Sequence, residues 1–135
     1  MKGFLDMFIR NAIAAGLLLG AAQSQAAAPK FSTHIAPILK TRCAICHLTG
    51  SEAGNMALHP AGAYASLVNV KSIEATTLMR VKPGDPGNSY MIAKLEGTHV
   101  EKGGKGARMP FGAAPLPPEQ IDLIKAWIKA GATKN

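Results

Sequence analysis

Cys43-Ala44-Ile45-Cys46-His47 concentrates the reactive side chains of this chain in five residues, and Cys43 and Cys46 are its only cysteines. Two thiols separated by two residues can reach one edge of a porphyrin and add, as thioethers, to its two vinyl groups. The imidazole of the next residue is then carried under the ring, where it can bind iron on the proximal face. Cys-x-x-Cys-His therefore reads as a covalent c-type haem attachment site. With no other cysteine, the chain cannot build an internal disulfide framework or a four-thiolate zinc site. A thioredoxin-like Cys-x-x-Cys would follow a strand in a βαβ pattern, but Phe31 to Leu39 before the motif is no strand run. A Cys2His2 zinc site needs a second pair of ligands at compact spacing, and His34, His59 and His99 are scattered.

An iron bound by one imidazole has a sixth coordination position to fill. Arg108-Met109-Pro110 lies in a glycine-rich stretch just before the last predicted helix. A thioether on a loop held by proline can reach the distal face, and Met/His ligation raises the potential and suits electron transfer. Met109 is the leading sixth ligand, with His99 in the same segment as its rival. Met79 and Met91 stand in apolar contexts and read as core filler. Met56 and His59 follow the motif closely enough to cover a haem edge, and His34 reads as a surface or capping residue. The free ring N–H of His47 needs an acceptor, for which the Leu58–Pro60 carbonyls are candidates. Arg80 and Tyr64 are candidates to bond a propionate.

These residues need elements to position them. Phe31, Ile35, Ile38 and Leu39 share one side of a helical wheel. Pro37 is best tolerated in a first turn, so the regular helix should start near Ala36. A short helix is expected over Ala61–Leu67, then an extended piece at Val68-Asn69-Val70, then a turn region over Val81–Gly87. A helix through Tyr90, Ile92, Ala93 and Leu95 should be capped by Asn88 or Ser89 and stop at Gly97. Thr98–Pro115 is a long irregular segment, and long loops in compact domains are usually functional. Its Lys102-Gly103-Gly104-Lys105-Gly106 lacks the spacing of a phosphate loop. Pro117-Pro118-Glu119 opens the last helix, with Ile121, Ile124 and Ile128 as its buried stripe and Trp127 at the edge. Gly131 ends it.

Residues 1–28 have the composition of a secretory signal peptide: Lys2 and Arg10, an apolar run from Ala12 to Ala22, then small residues around Ala26–Ala28. The apolar run is shorter than the roughly 20 residues a membrane span needs, so no stable membrane insertion is expected after cleavage. Export to the periplasm fits covalent haem attachment, which bacteria carry out outside the cytoplasmic membrane. Residues 29–135 are one domain by length. Such a domain has a poor surface-to-volume ratio, and the haem would act as its staple. The apoprotein is accordingly expected to be unfolded or molten. The chain carries a formal charge of +7. Loss of Lys2, Arg10 and Asp6 with the leader lowers this by one. Basic and aromatic residues are not interleaved as nucleic-acid binding would require. The charge instead suits an acidic docking surface on a redox partner protein.

The ordered set of motifs resembles a class I c-type cytochrome domain, of the small bacterial single-haem group. The matching residues are Ile35-Ala36-Pro37-Ile38-Leu39, Cys43-Ala44-Ile45-Cys46-His47, Tyr64 to Val70, Pro83-Gly84-Asp85-Pro86, Ser89-Tyr90, Lys94-Leu95, Arg108-Met109-Pro110 and Ile121 to Ala132. They span nearly the whole of residues 29–135. One stretch departs: relatives often carry Gly-Gly-Leu-x-Leu where this chain has Gly54-Asn55-Met56-Ala57-Leu58. The resemblance implies an all-α class I cytochrome c fold, with N- and C-terminal helices packed beside one covalent haem c. It implies Cys43 and Cys46 as attachment points, His47 as proximal ligand and Met109 as distal ligand. The expected function is a monomeric one-electron carrier of the periplasm, not an enzyme. A haem-relay subunit of a periplasmic oxidoreductase complex, or a haem peroxidase or ligand sensor with a labile sixth site, are the alternatives.

Overall fold

The computed structural model describes residues 27–135, so the leader expected over residues 1–28 lies almost wholly outside it. Four α-helices form the frame: α1 (Ala36–Arg42), α2 (Ala63–Leu67), α3 (Tyr90–Glu96) and α4 (Pro118–Lys129). A wide π-helical turn over Phe31–Ile35 leads directly into α1. Pro37 explains it. Proline has no N–H, and its ring excludes the carbonyl four residues back; the ladder widens instead, and the Ala36 N–H reaches the Phe31 carbonyl. Strand-type pairing among the described residues is confined to isolated bridges, such as Val68 with Val81. No helix among them is long and apolar enough to cross a membrane.

The start and the end of the described residues meet. The Phe31–Ile35 turn packs against α4, and the Ser32 N–H bonds the Asn135 carbonyl at 3.2 Å. Phe31, Tyr64 and Trp127 form a triangle at this junction, with Phe31–Tyr64 ring centroids 5.3 Å apart, edge to face, and Phe31–Trp127 5.4 Å apart. Aromatic pairs in such arrangements contribute roughly 0.5–1.5 kcal/mol beyond their area. Trp127 is fully buried, not at the edge of the helix stripe, and Ile121 takes the half-buried position instead. The indole N–H donates to the Thr133 carbonyl at 2.9 Å, so burial leaves no polar atom of this ring unsatisfied.

Helix α3 ends where expected, at Gly97 with φ of 85°. Its entry differs from the expectation. Ser89 stands at the N-cap position, but its hydroxyl donates to the Asp85 carbonyl and accepts from the Lys82 N–H. Asp85 does the side-chain capping, one short 3-10 turn earlier, by accepting from the Asn88 N–H at 3.1 Å. Asn88 and Lys82 bonds to the same carboxyl hold it below the usual carboxylate range.

Candidate functional site

The attachment motif is itself one turn. The N–H groups of Cys46 and His47 both bond the Cys43 carbonyl at 3.1 Å, which continues the direction of α1 and swings His47 inward. His47 is 8% exposed, while Ile45 between the cysteines is 88% exposed. Cys43 is half-buried and Cys46 exposed; burial pushes the Cys43 thiol up to about 11, against the lowering charge of Arg42.

A cavity of about 330 Å³ opens beside this turn. Cys43, Cys46 and His47 line one side of it, and Met109 lines it from the distant loop before α4. All four residues singled out by the motifs thus converge on one space. Met56 lines it too, and so does Met91, which thus does more than fill core. His99 does not line it. Its ring is buried elsewhere, with Nε2 2.9 Å from the Gly106 carbonyl. His34 is exposed and accepts from the Lys30 N–H, and His59 folds over Gly62. Among the described residues no three His, Cys, Asp or Glu side chains group as a metal site.

The surroundings of His47 depart from expectation in one respect. Leu58 approaches it through the backbone, its N–H bonding the His47 carbonyl at 2.7 Å. No Leu58–Pro60 carbonyl meets the ring, and His47 Nδ1 is buried with no hydrogen-bond partner. A buried polar atom left unpaired costs roughly 1–3 kcal/mol.

Arg80, only 7% exposed, organises the loop that follows the motif. Its guanidinium donates to the carbonyls of Ser66 and Gly54 at 2.7 Å each and of Asn55 at 3.1 Å. Burial lowers its pKa, and the three carbonyl dipoles compensate the lost hydration. The loop is also drawn in by Glu52, which accepts from the N–H groups of Thr49 and Gly50; these bonds, that of Thr49 foremost, hold its carboxyl at about 2. Arg80 still lines the cavity, whereas the other propionate candidate, Tyr64, is outside it with its hydroxyl on the Ala132 carbonyl at 2.9 Å.

One cluster escaped sequence reasoning. Glu74, Tyr90 and Lys94 line the cavity together. The Tyr90 hydroxyl donates to Glu74, and Lys94 Nζ lies 2.8 Å from the same carboxyl oxygen. Burial pushes Glu74 up, but the Lys94 and Tyr90 bonds outweigh it and hold the carboxyl below its ordinary value. Burial, then Glu74, push the Tyr90 phenol well above its usual range. Tyr90 and Lys94 stand four apart on α3, a detectable spacing. Glu74 arrives from an irregular segment that no periodicity marks.

The chain matches no known family model, no curated protein and no solved structure. Its functional reading therefore rests on the residues and their arrangement.

Proposed function

We propose that this chain is an exported single-haem c-type cytochrome that carries one electron at a time between partner proteins. The observation that supports it is the convergence of Cys43, Cys46, His47 and Met109 on one largely apolar cavity, although Met109 is far along the chain from the other three. The residues fit the group. Two thiols flank the cavity at attachment spacing. The buried His47 imidazole lines the cavity, and the Met109 thioether lines the same space.

In this reading Cys43 and Cys46 hold the haem covalently, and His47 and Met109 are the ligands to its iron. The haem supplies the redox chemistry, an iron that alternates between two oxidation states. The chain supplies the rest. Leu58, Leu67 and Leu95 line the cavity and keep water from it, and with Met/His ligation a dry site favours the reduced state. The Arg80 bonds fix the loop behind His47, so the ligand set need not rearrange during transfer. Ile45 and Phe111, 88% and 74% exposed, rim the cavity. Arg42 lines the cavity, and Lys40 beside the motif, with Lys105 and Arg108 in the segment that bears Met109, adds positive charge suited to an acidic partner.

The test is a visible and near-infrared spectrum of the exported protein in both oxidation states, beside Met109→Ala. Haem that resists acid–acetone extraction is expected. So is a weak long-wavelength charge-transfer band in the ferric wild type that the variant lacks. Covalent haem with a high-spin spectrum, unchanged by the substitution, would move the reading to ligand binding or catalysis.

A further inference from the structure

The loop that bears Met109 is irregular, yet it is tied down at closely spaced points. Lys94 holds it twice, by its carbonyl to the Met109 N–H at 3.0 Å and by Nζ to the Lys105 carbonyl at 2.6 Å. His99 also holds it twice, by its carbonyl to the Gly104 N–H at 2.8 Å and by Nε2 to the Gly106 carbonyl at 2.9 Å. The Gly106 carbonyl can only accept, so Nε2 carries the ring proton and donates it. His99 is 3% exposed, and its Nδ1 has no partner. The ring is therefore anchored to the loop by one bond. Close approach adds to the tie: a Cβ on Gly104 would run into the Tyr90 hydroxyl and the His99 carbonyl, so only glycine fits between Tyr90 and His99.

We propose that His99 is a positioning residue for Met109: its bond to Gly106 holds the 104–109 strap against the 3-10 turn His99–Lys102 that follows α3, and so sets how readily Met109 yields its place to an outside ligand. This rests on the reading of Met109 as the sixth ligand. It also gives buried His99, the rival ligand of the sequence, a role outside the cavity. A side-chain hydrogen bond of ordinary strength, lost while the other ties remain, should shift the closed-to-open balance by up to about tenfold.

The experiment uses the mature ferric holoprotein and imidazole as the probe. Stopped flow follows both imidazole binding and loss of the long-wavelength band. His99→Leu keeps bulk and removes the donor; it should bind imidazole up to about tenfold faster than wild type. His99→Gln places an amide N–H near the position of Nε2 and should return the rate to within about twofold of wild type. Equal rates in wild type and His99→Leu overturn the proposal, as does a glutamine variant as fast as the leucine one. Should the leucine variant fail to fold, long-range 1H–15N NMR of the wild-type ring decides: the proton must sit on Nε2, and a proton on Nδ1 overturns it. A wild type with no long-wavelength band, or one whose imidazole binding matches Met109→Ala, defeats the ligand reading itself.

Discussion

The junction of the Phe31–Ile35 turn with α4 and the cavity beside the Cys-x-x-Cys-His turn are built from opposite materials. At the junction, Phe31, Tyr64 and Trp127 touch one another, and the hydroxyl of Tyr64 and the indole N–H of Trp127 both find carbonyls. At the cavity, Met56, Met91 and Met109 are half-buried, Ile45 and Phe111 face outward, and His47 Nδ1 has no partner. Rigid aromatic rings specify one arrangement by shape. Methionine adapts to whatever it packs against. The difference teaches that ring shape and paired polar atoms fix the aromatic half, whereas the cavity half stays open and adaptable.

The sharpest way to break the comparison is to remove the attachment points. In the proposed reading the haem completes the cavity half, so the double substitution Cys43→Ala/Cys46→Ala should abolish the cooperative thermal transition by calorimetry. Near-ultraviolet circular dichroism sharpens the result. A residual Trp127 signal would mean that the aromatic junction keeps order without the cavity half. A transition like that of the holoprotein would show that both halves fold unaided, and the contrast would then be one of composition only.

A smaller effect separates the halves within the folded holoprotein. Trp127→Ala empties a fully buried site at the junction of turn and helix, and should cost about 3–5 kcal/mol in denaturant unfolding. Met91→Leu, a swap of similar volume at the cavity, should cost less than about 1.5 kcal/mol. Comparable losses from both would mean that the methionine side is packed as tightly as the aromatic side.

The sequence carries this contrast unevenly. Helix limits were legible because their punctuation is local: Pro37 sets the start of α1, Gly97 in the left-handed region stops α3, and Pro118 opens α4. The four cavity residues were legible because the chemistry of Cys-x-x-Cys-His and of a lone Met before Pro leaves few roles for them. Trp127 was misplaced because a helical wheel ranks faces without knowing what lies opposite. Phe31 and Tyr64 come from other elements, and their rings draw Trp127 inward. Asp85 was missed as a cap because a 3-10 turn intervenes before α3. The Glu74–Tyr90–Lys94 cluster was invisible for a deeper reason: two of its members share a helix, but the carboxyl that joins them comes from a segment without a repeat.

That cluster gives the finest test, because it belongs to the cavity half yet is fully partnered. Glu74 has a folded-state pKa below its unfolded value, so its bonds to Lys94 and Tyr90 stabilise the protein above the ordinary carboxylate range. The contribution is lost as pH falls through the folded value, where the carboxyl protonates in both states. Glu74→Gln should therefore be less stable than wild type near pH 7, by less than about 1 kcal/mol because water screens this part-exposed pair. The gap should close as the solution is acidified below the carboxylate range. Denaturant midpoints of the two holoproteins across that pH span check it. A gap that persists at low pH would mean that shape, not charge, holds Glu74 in place. The cavity half would then resemble the aromatic junction more closely than its methionines suggest.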